Sequence, residues 1–150
     1  MKKFCYLMSY LFVLFMVSGC GNNTKVLTCT GMNLGNNMNA AASANFTFEN
    51  NKLSKNKVEV VFKDITVDNL SSVWDTFKAQ FTEQNKPVEV PGYKRSVKAD
   101  DKNYTFSVII EIDYNKISKE TMDKYGVEDY GSKTYDEIKA EVIGQKMTCK

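Results

Sequence analysis

Residues 26–150 are expected to fold as a single α+β domain, an antiparallel β-sheet packed against one longer and two shorter helices. Three observations predict this. Tyr104, Phe106, Val108, Ile110 and Ile112 recur at every second position, the period of a strand with one dry and one wet face. Leu70, Val73, Trp74, Phe77 and Phe81 recur at helical spacing and make one apolar stripe. Short polar breaks, Asn50-Asn51 and Asp100-Asp101-Lys102-Asn103, separate strand patterns as hairpin turns do.

Taken in order, residues 26–32 (VLTCTGM) read as a short strand carrying Cys29. The Gly- and Asn-rich stretch 31–39 reads as a turn region, because these residues tolerate turn geometry. AAASANFTFEN (40–50) continues as a second strand with Phe46 and Phe48 on one face. A third runs near residues 57–65, where Val58, Val60 and Phe62 alternate with Glu59, Val61 and Lys63. Asp68 or Asn69 is placed to cap the helix of LSSVWDTFKAQFTEQ through a short oxygen-bearing side chain. Pro87 and Pro91 mark a loop after it, since proline resists both helix and central strand.

Residues 93–99 and 104–114 form a second hairpin, with Asp100 and Asp101 serving turn chemistry. Ser118 caps a short helix that Gly126 stops. The last helix begins at Thr134, whose spacing to Glu137 is that of a capping box. Tyr135, Ile138 and Val142 give it a buried face, Gly144 ends it, and residues 146–149 finish as a strand.

The segment before the domain has a different character. Lys2-Lys3 precedes an apolar run, residues 4–17, broken only by Ser9. As a helix it would span about 21 Å, short of the roughly 30 Å hydrocarbon core, so it reads as a secretory signal rather than a membrane span. The run finishes on Val17-Ser18-Gly19-Cys20, which resembles the lipobox of bacterial lipoproteins at all four positions. The resemblance implies cleavage between Gly19 and Cys20 and a diacylglyceryl group on the Cys20 thiol. Each buried methylene contributes about 0.8 kcal/mol, so two acyl chains anchor where one binds marginally. Residues 1–19 are thus expected to be a signal peptide, 20–25 a lipidated tether and 26–150 a domain held on the extracytoplasmic face of the cell membrane. The alternative is an uncleaved anchor or an ordinary secretory signal.

Of the four cysteines, Cys5 lies in the signal and Cys20 at the anchor. Cys29 and Cys149 remain. An exported chain meets an oxidising environment, so this even remainder favours a structural disulfide over two thiols. A redox role has little support without a C-x-x-C spacing.

Composition excludes several function classes. Two of the 20 basic residues, Lys2 and Lys3, belong to the signal, which leaves 18 basic against 18 acidic residues. A nucleic-acid partner, which needs a basic stripe, is not expected. The absence of histidine removes Ser-His-Asp and Cys-His nucleophile systems and the commonest zinc ligand. No metal or other cofactor is called for.

Among individual residues, Glu111 and Asp113 share a strand face and so offer a carboxylate pair for cation binding or acid–base work. They also occupy the polar face, where charge is expected anyway. Trp74 is a candidate for ligand stacking, but its helical partners make it a core anchor. Tyr125, Tyr130 and Tyr135, interleaved with Gly126 and Gly131, either line a recognition surface or seal the edge of the core; sealing is the favoured reading. Lys94-Arg95 is too small a basic cluster to mark a lipid headgroup site.

Thr28-Cys29-Thr30, the Phe46/Phe48 strand, the W-x-x-F-x-x-x-F pattern from Trp74 to Phe81 and the terminal Thr148-Cys149-Lys150 together resemble the YehR-like family of small bacterial lipoproteins. The resemblance covers residues 26–150. It implies an α+β domain outside the cytoplasmic membrane with Cys29 and Cys149 bridged, and it supplies no activity. The expectation is therefore a non-enzymatic, membrane-anchored lipoprotein with a binding or envelope-associated role. A small apolar-ligand carrier with a cavity between sheet and helices is the alternative. A carboxylate-based hydrolase using Glu111 and Asp113 comes third.

Overall fold

The computed structural model describes residues 23–31, 39–63, 65 and 68–150. The apolar run, the lipobox with Gly19 and Cys20, and most of the Gly/Asn-rich stretch lie outside them. The described chain forms β1 (Thr24–Gly31), β2 (Asn39–Glu49), β3 (Lys52–Lys63), α1 (Leu70–Gln84), β4 (Val88–Val90), β5 (Tyr93–Asp100), β6 (Thr105–Asp113), α2 (Lys119–Tyr125), α3 (Tyr135–Gly144) and β7 (Thr148–Cys149). Seven strands make one antiparallel sheet in the order β4-β5-β6-β3-β2-β1-β7. The expected α+β single-domain fold, with one longer and two shorter helices, is what forms.

The β2–β3 hairpin turns on Asn50 and Asn51, both left-handed at φ 53° and 62°. Asparagine tolerates that region, and two such residues match the natural twist of paired strands. One extra residue, Ser54, is accommodated where the register shifts after Thr47. Its hydroxyl donates to the Thr47 carbonyl at 3.0 Å and its own carbonyl accepts from Tyr114 N at 2.8 Å, so the bulge satisfies both of these groups.

Register decides which side chains share a face. Leu27 pairs with Phe46, Cys29 with Ala44, Ala42 with Val60, Ala40 with Phe62, Phe62 with Phe106 and Tyr93 with Ile112. All therefore point to one side, and all three helices pack there. Trp74 of α1 stacks on Phe106 (centroids 4.6 Å), Tyr125 of α2 on Tyr93 (4.7 Å), and Tyr135 of α3 meets Phe48 edge-on (5.3 Å). The core separates into two clusters. Leu27, Phe46, Phe48 and Leu53 lie with Ile138 and Val142 under α3, and Phe106, Trp74 and Ile65 lie under α1. The opposite face is polar, with Lys57–Glu111 and Lys94–Glu89 ion pairs at 3.0 and 2.9 Å.

Cys29 and Cys149 are joined by a disulfide between β1 and β7. Backbone bonds from Thr28 N to Lys150 O (3.1 Å) and from Lys150 N to Thr28 O (2.9 Å) flank it.

Several boundaries differ from expectation. Thr24 and Lys25, read as tether, are the first residues of β1. The third strand starts at Lys52, five residues earlier than its apolar alternation suggests. Between the two prolines, Val88–Val90 pairs with β5 as an edge strand, the one place in a sheet where flanking prolines cost no ladder bond. Asn69 does precede α1, but by a left-handed backbone (φ 54°) and without a side-chain cap. Gly144 is the last residue of α3, as expected, and the left-handed stop falls on Lys146 (φ 64°), with Lys146 N bonded to Ile143 O and Met147 N to Val142 O, the two bonds of a Schellman stop. The Thr134–Glu137 capping box, the Ser118 cap and the left-handed Gly126 stand as expected.

Candidate functional site

The helices do not cover the apolar face of the sheet completely. Ala40, Ala42 and Ala44 of β2 each present a single methyl where neighbouring strands present Phe62, Val60 and Val58. Over this low floor a cleft of about 200 Å³ stays open between Ala42, Ala44, Val58 and Val60 below and Ile138 and Val142 above. Its lining is mainly apolar. A second hollow of about 320 Å³ lies over β6, walled by Tyr93, Tyr114, Tyr125 and Tyr130. Asn56, Val58 and Tyr130 border both, which makes them adjacent lobes.

Asn56 is the polar centre of this region. It stands in β3 between Phe46 and Ile112, on the apolar face. Its amide lies near enough to the Tyr114 hydroxyl to favour the ionised form. Its Oδ1 is buried and has no hydrogen-bond partner among the described residues. Burial pushes the Tyr114 hydroxyl up to about 12, against the lowering effect of Asn56.

Tyr130 carries the second polar group. Its hydroxyl donates to Glu141 Oε1 at 2.8 Å. Glu128, then burial and Glu141, hold the Tyr130 hydroxyl far above its usual value. Lys133 bonds Glu141 Oε2 and sits 3.9 Å above the Tyr130 ring. That ammonium, with the Tyr130 bond, holds the Glu141 carboxyl below its usual value.

The residues singled out from sequence separate into two groups. Tyr125, Tyr130 and Tyr135 do pack against the core edge, and the first two also wall the hollow. Trp74 is 4% exposed within its aromatic cluster. Glu111 and Asp113 lie away from the cleft. They border a shallow depression beside Glu89, where Glu111 pairs with Lys57, Glu89 with Lys94 and Asp113 with Lys116 at 3.5 Å. Arg95 is tied by its Nε to the Lys86 carbonyl at 2.9 Å. Among the described residues no three His, Cys, Asp or Glu side chains group as a metal site, and no helix is long and apolar enough to cross a membrane.

No family model matches the sequence, and no curated protein matches it. A solved structure does: the NMR structure of a protein from Streptococcus pneumoniae TIGR4 superposes with a TM-score of 0.59, over 86% of this chain and 86% of that one, at 11% identity. The two chains share a fold. At that identity the likeness extends to the fold alone, and the roles of Asn56 and the tyrosines rest on this chain's own geometry.

Sequence reasoning missed Asn56 and the alanine floor. The signal was present: Asn56 lies two residues before Val58 in the same alternation, a polar residue in an apolar register. Taking the strand to start at Lys57 concealed it.

Proposed function

We infer that this chain is a lipid-anchored domain on the extracytoplasmic face of the cell membrane that binds a small ligand without chemically changing it. The anchor is supported by Val17-Ser18-Gly19-Cys20 after an apolar run. The binding role is supported by one observation above all, the apolar cleft over Ala42 and Ala44 that the helices leave open. A carrier of this type needs a closed sheet-and-helix frame and an unfilled interior. The neutralised carboxylates at Glu111 and Asp113 give a hydrolase no equivalent support. Kinship with YehR-like lipoproteins belongs to the same reading, supported by the placement of Thr28-Cys29-Thr30 and Thr148-Cys149-Lys150 on adjoining strands.

Two measurements test it. Intact mass of the protein extracted from membranes should report an N-terminal Cys20 carrying acyl chains; recovery of the chain with its first methionine would remove the anchor. An environment-sensitive apolar dye should brighten with the wild-type protein and fail to brighten with Ala44→Phe, which fills the floor. Equal brightening with both would remove the cleft as the binding site.

A further inference from the structure

The β1 edge of the domain carries a surface separate from the cleft, and its place in the chain points to what covers it. Granted the lipid-anchored reading above, we propose that this edge, made by β1, residues 146–149 and the outer flank of α3, rests on the anionic phospholipid headgroups of the membrane that holds Cys20. Three observations converge on this.

The first is reach. Thr24, the first residue of β1, lies four positions after Cys20. That length of chain spans at most about 14 Å. The start of β1 is therefore kept close to the headgroup layer however the domain turns.

The second is charge. From residue 20 onward the chain is neutral, with 18 basic against 18 acidic residues. This edge is not. β1 and residues 146–149 carry Lys25 and Lys146 and no carboxylate, and Lys139 adds a third ammonium from α3. None of the three makes an ion pair among the described residues, whereas Lys57, Lys94 and Lys116, farther across the sheet, are each paired. The carboxylates bordering the edge are Glu49, which lies opposite Lys52 in the hairpin register, Asp136 in the first turn of α3, and Glu137, which is turned back onto Thr134. A surplus of positive charge is left beside the anchor. Attraction to anionic headgroups falls off within a Debye length, so charges held this close are the ones that take part.

The third is the aromatic and apolar content. Tyr135, Lys139 and Ile143 follow one another at i, i+4 spacing along one flank of α3, away from the Glu141 and Gln145 flank that lines the cleft. Lys25 reaches from β1 to 5.7 Å from the Tyr135 ring centre and Lys139 to 5.8 Å, which puts this flank over the β1 edge. Ile143 is 50% exposed and Val26 of β1 is 57% exposed. Tyrosine rings and lysine stems suit a headgroup boundary, with the apolar part turned inward and the polar tip among the phosphates.

The test uses the acylated chain in phosphatidylcholine nanodiscs with and without phosphatidylglycerol, each doped with headgroup-spin-labelled phosphatidylcholine. Methyl NMR reads the paramagnetic loss of signal at Ile143, remote from Cys20 in sequence. Val73, an exposed valine on α1, is the internal reference. With phosphatidylglycerol present, the Ile143 methyls should lose most of their intensity and the Val73 methyls little. Without it, the Ile143 loss should be much smaller. The triple variant Lys25→Gln/Lys139→Gln/Lys146→Gln should bring the Ile143 signal back while the protein stays in the disc. Thermal unfolding checks its fold, and the lipid comparison on the wild type carries the test where the variant does not fold. An Ile143 signal kept as fully as that of Val73 overturns the docked edge and leaves the anchor standing. Equal loss in the two lipids overturns the assignment to anionic headgroups. A chain that does not enter the discs overturns the anchored reading and the docked edge together.

Discussion

Gly92 joins β4 to β5 at φ 77°, and a Cβ built there would stand 2.2 Å from Ile117 N and 2.4 Å from its Cα. Those are backbone atoms, so no side-chain rotation gives relief. The left-handed conformation alone costs a substituted residue about 1–3 kcal/mol, and the clash adds to it. Gly92→Ala should therefore lower the urea midpoint strongly, by the equivalent of roughly 3 kcal/mol; an unchanged midpoint would show that the turn and Ile117 are not in contact. Asp101 shows a different residue-scale effect. Read as turn chemistry, it instead accepts from Trp74 Nε1 at 2.7 Å and Lys78 Nζ at 2.9 Å, fastening α1 to the β5–β6 hairpin, while Asp100 alone supplies the turn bonds. The Lys78 and Trp74 bonds hold the Asp101 carboxyl below its usual value. A depressed folded value means the contribution is present above the unfolded pKa, about 3.9, and disappears as pH falls through the folded one. Stability should decline below about pH 4 in the wild type, and Asp101→Asn should flatten part of that decline. Parallel acid-unfolding curves for the two proteins would refute the contact.

At the scale of elements, the two ends of α3 make opposite predictions. Thr134 Oγ1 accepts from Glu137 N while Glu137 reaches back to Thr134 N at 2.8 Å, so Thr134→Ala strands the Glu137 amide and should cost about 1 kcal/mol in urea unfolding. Lys146 holds a left-handed position that glycine would hold without a Cβ penalty, and Lys146→Gly should stabilise by roughly 0.5–1 kcal/mol. A loss of stability there would mean that the Lys146 side chain does more than tolerate the turn. These ends also show what a sequence discloses. The capping box, the Ser118 cap and the period-two run of β6 were legible because each is a local pattern with a local cause. Val88–Val90 was not, because three residues between prolines become a strand only when Tyr93, Lys94 and Arg95 lie opposite. The early half of β3 and Asn56 were hidden for the same reason. Lys52, Ser54, Lys55 and Asn56 carry no apolar alternation, and β2 and β6 on either side dictate their conformation. The cleft was legible only as a possibility. Alanines at 40, 42 and 44 signal a low floor once it is known that α3 lies above them.

Across the described residues, the topology places the first and last strands together at one edge of the sheet, where one short contact joins them. β7 contributes two residues, Thr148 and Cys149, and few backbone bonds, too little to hold an edge strand unaided. The Cys29–Cys149 bond supplies what the pairing lacks, closing a loop across a separation of 120 residues. Loop-closure entropy for a span of that order is worth about 4–5 kcal/mol, acting on the unfolded chain rather than on native contacts. Met147, which precedes β7, belongs to the same buried cluster as Val142 and lines the cleft, so release of the strand also loosens the cleft wall. Reduction, or the Cys29→Ser/Cys149→Ser double variant, should lower the urea midpoint substantially. Amide exchange at Thr28 and Lys150 should accelerate before exchange in β3 or β6 does. If reduction left both the midpoint and those two amides unchanged, the clasp would be decorative, and β7 would have to be held by packing of Met147 alone.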